Sequence, residues 1–231
     1  MSKIMRVKFE KTGDIIYISH LDVQRLLQRA FRRAEIELSF SQGFNPHPKM
    51  SYGNALALGI ESFGEYVDIE IEDEISTNEL LERLNSTLPK GIRFIKCYEL
   101  KGGEKALAPN IVYGDYKFII ENSGYDKAYI VSCIDNIKNS DSIITTKLNK
   151  KKKVVEVDIR DMIRNIDVAV VDDDKIEISA VLATGSKKNL NTNVFIPKML
   201  EYLKIEMDPL DIDIIRHDLY FDVDGELEKI M

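Results

Sequence analysis

The chain has 231 residues, 44% hydrophobic and 31% charged, which fits a folded globular protein and excludes a disordered or fibrous one. Its net charge of −7 disfavours indiscriminate binding to polyanions, although residues 1–60 form a basic island of nine Lys/Arg against five Asp/Glu. No apolar run approaches the roughly 20 residues of a membrane span, and the first strand pattern starts so early that no signal peptide is expected. Two cysteines, Cys97 and Cys133, cannot by themselves hold a cluster or a structural zinc, so a cytoplasmic chain without a metal or redox centre is expected.

Residues 4–10 alternate apolar and polar side chains, which predicts a strand, and Thr12-Gly13-Asp14 predicts a turn. Ser19 and Asp22 have the spacing of a capping box, with Asp in place of the usual Glu or Gln. Val23, Leu26, Leu27, Ala30, Phe31 and Ala34 then recur at helical spacing, which puts Arg25, Arg29, Arg32 and Arg33 on the opposite face. Residues 37–53 have strand-like ends around a break at Gly43, Pro46 and Pro48, and a strand or hairpin with an ordered loop or hairpin tip is expected there. A strand at 66–72, a Ser76-capped helix at 78–88 and a strand at 92–100 follow. This order is the split βαβ arrangement of a ferredoxin-like domain.

The second half repeats the pattern more loosely, with strands at 115–121, 142–148, 153–159, 175–183 and 215–221 and helices at 125–138 and 193–203. The expectation is an α+β protein of two tandem ferredoxin-like (βαββαβ) domains, 1–100 and 101–231. Residues 208–213 and 222–231 read as surface segments, Asn149–Lys153 as a hairpin connection kept soluble by charge, and Asp172–Lys175 as a turn.

Chemistry-bearing residues concentrate between 17 and 53. The helix offers four arginines with few interleaved carboxylates for i,i+4 pairing, a pattern that serves either a solvated face or phosphate contact. In the 41–49 loop, Asn45, His47 and Lys49 supply donors and Phe44 a stacking face, which suits contact with phosphate and an unpaired base. His20 and His47 are the candidate acid and base of a catalytic alternative, with structural hydrogen bonding as the plainer role. A metal site from His20, Asp22 and His47 lacks any recognised ligand spacing, and neither cysteine has a basic neighbour that would make it a nucleophile. Gly185, Ser186, Lys187 and Lys188 precede a helix and form a secondary phosphate-binding candidate without the P-loop pattern, beside the reading of an ordinary polar loop.

The Tyr17–Asp22 segment, the arginine-rich helix, Ser41–Lys49, the Leu58–Glu61 turn and the alternating strand from Tyr66 together resemble the DUF2344 family of radical SAM-associated proteins. The resemblance spans most of the chain, with its motifs confined to residues 4–100, where His20, Asp22, Gly43, Asn45, Pro46, His47 and Lys49 mark a candidate site. It implies a separate chain beside, or an extension of, a larger radical SAM protein, with links to RNA processing and the ribosome. This chain lacks the CxxxCxxC triad, so the iron–sulfur cluster and S-adenosylmethionine would belong to that partner and no cofactor to this chain. The paired domains are also similar in outline to CRISPR RNA-processing endonucleases, a likeness at the level of fold only. A non-catalytic accessory protein that binds and presents RNA is the leading expectation. An RNA-acting nuclease or modifying enzyme using His20 and His47, and a purely protein-binding module, are the alternatives.

Overall fold

The computed structural model describes residues 2–148 and 151–231, so Asn149 and Lys150 of the expected 149–153 connection lie outside the described residues. The chain is α+β and divides into two compact units, one of Met1–Ile111 with Phe221–Met231 and one of Val112–Tyr220. The sequence reading places a boundary at residue 101 and treats the last ten residues as surface. In the structure the first unit runs eleven residues further and regains the tail.

The first unit contains β1 (Lys3–Lys11), α1 (His20–Arg33), β2 (Met50–Tyr52), β3 (Ile60–Ile71), α2 (Thr77–Asn85), β4 (Ile92–Leu100) and a short α3 (Leu107–Asn110). Its sheet has the order β4-β1-β3 with β2 on β3, every pairing antiparallel. Met5, Val7 and Phe9 of β1 and Val67, Ile69 and Ile71 of β3 form a core with Val23, Leu27 and Phe31 of α1 and Leu80 and Leu84 of α2. Each large side chain so buried contributes roughly 1.5–3 kcal/mol, and this apolar stripe, more than helix propensity, holds α1 in place.

Both ends of α1 are chemically marked. Ser19 Oγ accepts from Asp22 N–H at 3.2 Å and donates to the Asp22 carboxylate at 2.6 Å. At the other end Glu35 adopts φ 54°, Ile36 N–H donates to Phe31 C=O at 3.1 Å and Glu35 N–H to Arg32 C=O at 3.2 Å, which together make a Schellman closure. α2 starts on the expected Ser76 cap but ends at Asn85, three residues short of the prediction, because Thr87 and Leu88 close a turn onto Leu84 C=O.

The second unit contains β5 (Ile111–Glu121), α4 (Lys127–Asn139), β6 (Ile144–Leu148), β7 (Val154–Asp158), β8 (Ile163–Val171), β9 (Lys175–Ala183), α5 (Thr192–Leu203) and most of β10 (Asp213–Val223). Its main sheet has the order β10-β5-β9-β8, and β6 and β7 pair only with each other. The sequence reading has strands at β6 and β7 within its second ferredoxin-like domain and has no strand at β8. The structure corrects this, and the cause is visible in the pairing. β8 shifts register against β9 between Ile163 and Asn165 and again between Val168 and Val170, and such bulges erase the period-2 pattern that would reveal a strand. The tail likewise ends in β11 (Glu226–Lys229), a hairpin partner of β10 with no apolar alternation. No helix among the described residues is long and apolar enough to cross a membrane.

Candidate nucleic-acid interface

Arg25, Arg29 and Arg33 follow one another at i, i+4 and i+8, so α1 sets their Cα atoms about 6 Å apart along its axis. They line an open groove of about 470 Å³ whose other wall is Ile18, Leu26 and the Thr87–Pro89 turn after α2. Arg32 is exposed but lies outside that lining. Asp22 is the single carboxylate in the groove. It pairs with Arg25 at 3.2 Å, and the Ser19 hydroxyl, with Arg25 beside it, holds the Asp22 carboxyl below the usual carboxylate range. Arg33 donates to Thr87 C=O at 2.8 Å, whereas Arg29 makes no hydrogen bond or ion pair among the described residues. The cap and the arginine face, separate features in sequence, share Asp22.

The 41–49 loop lies on the same unit and is tied at its base. Ser41 N–H donates to His47 C=O at 2.9 Å, and His47 N–H to Ser41 Oγ at 3.0 Å. Beyond that tie Gly43 has φ 131°, Phe44 is fully exposed and Asn45 and His47 are exposed. Lys49 is committed elsewhere: its Nζ pairs with Glu70 at 2.8 Å, and this contact, with Ser2 Oγ, lowers the Glu70 carboxyl. His47, Pro48 and Lys49 border a separate cavity of about 480 Å³ with Arg6, Asp68, Glu70 and Leu100. The arginine row and the loop therefore face different hollows.

His20 lines a third and much smaller cavity with Lys11, Tyr52, Leu56 and Glu65. Its ring stands edge-on to Tyr52 with centroids 5.4 Å apart, and its Nε2 is 2.9 Å from Gln24 Nε2. Burial raises the Tyr52 hydroxyl above the ordinary tyrosine value. His20 and His47 thus line different cavities. Among the described residues no group of three or more His, Cys, Asp or Glu is placed to hold a metal. Cys133 is buried, and burial pushes the half-buried Cys97 thiol up to about 12.

Lys11 and Arg6 are among the buried polar residues that escape the sequence reading. Lys11, nearly fully buried, donates from Nζ to Ile16 C=O at 3.1 Å and Ile18 C=O at 2.9 Å, which fixes the backbone on both sides of Tyr17. Its signal was available, since Lys11 continues the inward alternation of Met5, Val7 and Phe9. Arg6 has no such signal, as it occupies an outward position and is covered only by the fold.

In the second unit Thr184 bridges Asn189 and closes the 185–188 loop, with Asn191 capping α5 beyond it. Lys188 pairs with Asp161, while Ser186 and Lys187 are exposed and Gly185 is buried. The Asp172–Lys175 turn is closed by Asp172 N–H to Lys175 C=O at 3.0 Å and by Asp172 Oδ1, which accepts from Asp174 and Lys175 N–H.

Comparison with known proteins gives a family and several solved structures of similar fold. A family model described as "Uncharacterized protein conserved in bacteria (DUF2344)" matches residues 5–192. No curated protein matches. A solved Cbf5–Nop10–Gar1 complex aligns with TM-score 0.50 and 9% identity over 93% of this chain and 48% of the other, so the chain spans about half the length of that neighbour and the likeness is one of fold. An archaeal box H/ACA sRNP Nop10–Cbf5 complex aligns at TM-score 0.42 and 7% identity, over 92% of this chain and 46% of the other. A protein from Galdieria sulphuraria aligns at 0.27 and 9%, over 96% and 100%.

Proposed function

The chain belongs to the DUF2344 family, and we propose that it is an accessory protein of a radical SAM enzyme that binds RNA on the α1 arginine face and presents it for modification or processing. The observation that carries the RNA reading is the groove beside α1, where Arg25, Arg29 and Arg33 stand in one row against a single carboxylate, in a chain whose net charge is negative. A local basic row on an acidic protein selects a polyanion at one place and repels it elsewhere. On the same reading both units are ferredoxin-like domains in tandem. Their strand orders, β4-β1-β3-β2 and β10-β5-β9-β8, support it, with the β6–β7 hairpin as an insertion in the second.

The cluster and S-adenosylmethionine belong to the partner in this proposal, since Cys97 and Cys133 are the chain's two cysteines. The 41–49 loop, with Phe44 and Asn45 displayed on a tied base, serves as a second contact. The catalytic alternative is less favoured because His20 and His47 open into different cavities and so do not act on one substrate atom as acid and base.

The test is RNA binding by the purified protein across a salt titration. Replacing Arg25, Arg29 and Arg33 together by Ala is expected to weaken binding and to reduce the salt slope by about 2, at about 0.7 per single-strand phosphate contact. Unchanged affinity and slope would remove α1 from the proposal.

A further inference from the structure

Next in the chain to Ile18, which lines the arginine groove, is an exposed aromatic ring on a fixed backbone. Tyr17 is 70% exposed, yet its backbone is held from beneath on both sides. The buried ammonium of Lys11 binds the carbonyls of Ile16 and Ile18, and Gly59 N–H donates to Ile16 C=O at 3.1 Å. The Tyr17 ring lies against Gly59, where an added Cβ would come within 3.9 Å of its Cε1. Leu58, next to Gly59, and Leu21, in the first turn of α1, are each 61% exposed. Ile18, the residue after Tyr17, lines the arginine groove.

We infer that the RNA bound here is single-stranded, with an unpaired base lying on Tyr17 and the adjoining phosphates running along Arg25, Arg29 and Arg33. The inference rests on the reading of α1 as an RNA surface and adds to it a stacking residue and a substrate class. A ring that is exposed on a fixed backbone loses little entropy when a base covers it, and every base offers a π-face. A paired base offers none, because its faces are already stacked. The deep, narrow major groove of an A-form duplex cannot admit α1, whereas an unpaired strand can lie along the helix with successive phosphates on the row. An acidic peptide would satisfy the arginines but would gain nothing specific from the ring.

The chain has no tryptophan, so Tyr17→Trp introduces a single selectively excited indole at the proposed contact. Binding of the full chain to a labelled oligouridylate and to a blunt RNA duplex, with polyglutamate as competitor, tests the assignment. Tyr17→Ala is expected to weaken oligouridylate binding roughly tenfold with no change in salt slope, because stacking and not charge is lost. Tyr17→Phe retains binding, the Tyr17→Trp emission is quenched by oligouridylate and not by duplex, and polyglutamate competes poorly. Wild-type binding by Tyr17→Ala, with binding lost in the triple arginine variant, would overturn the platform and leave the RNA surface standing. Equal affinity for duplex would overturn the single-strand assignment, as would efficient competition by polyglutamate. Failure of the wild-type chain to bind either oligonucleotide would remove the RNA reading itself.

Discussion

Arg6 shows how a charged side chain can be buried on the face of a sheet opposite its apolar core. It is 1% exposed, and its guanidinium donates to Asp68 through two nitrogens at 2.7 and 2.8 Å and to Lys105 C=O at 2.7 Å. A buried pair of this kind gains little over an apolar substitute, but removal of one partner strands the other charge. Arg6→Ala is therefore expected to cost about 3–5 kcal/mol in urea denaturation. A double replacement of Arg6 and Asp68 by apolar residues of similar volume should cost less than the single one, and a larger loss in the double variant would refute this account. Glu177 presents the same physics with an acid. Lys117 at 2.9 Å, seconded by Lys175 at 2.6 Å, holds its carboxyl below the usual range. A depressed acid contributes stability above its unfolded value, near 4.5, and that contribution disappears as pH falls through the lower folded value. Melting temperature plotted against pH should accordingly fall less steeply on the acid side for Glu177→Gln than for the wild type.

At the scale of the element, α1 carries both the core stripe and the arginine row, so its end signals matter to both. Ser19→Ala removes a cap worth about 1 kcal/mol and also the hydroxyl that fixes Asp22. The expected result is a lower melting temperature, with RNA affinity changed far less than by loss of Arg29. Gly91, at the entry to β4, has φ 95°, and a Cβ there would stand 2.4 Å from Thr12 C=O. α1 was legible in the sequence because cap, stripe and basic face all repeat at one helical period within 16 residues. β8 was not, because two bulges break its alternation, and β11 was not, because it is short and charged. The same distinction separates the parts of the candidate site. The arginines announce themselves by spacing along one helix, whereas the exposure of Tyr17 depends on a lysine at the far end of β1 and a glycine forty residues onward.

At the scale of the whole molecule, chain order and compact unit diverge. The expected boundary near Lys101 follows the glycines, but tertiary contacts extend the first unit to Ile111 and return Phe221–Met231 to it. Local composition carries no trace of that return, since its evidence is the burial of side chains by residues more than a hundred positions away. Phe221 is 4% and Ile230 5% exposed, and Tyr98 Oη lies 3.4 Å from Ile230 C=O. Lys105 pairs with Glu228 at 2.9 Å and stands 5.5 Å from the centre of the Phe221 ring. Truncation after Tyr220 thus removes two buried apolar side chains, at roughly 1.5–3 kcal/mol each, and uncovers the Arg6 network beside them. The truncated chain should lose hydrogen-exchange protection in β1, β3 and β4, with the amides of α4 and β9 changed much less. Equal loss in both units would mean that they unfold as one, and undiminished protection in the first would show that its stability owes nothing to the tail.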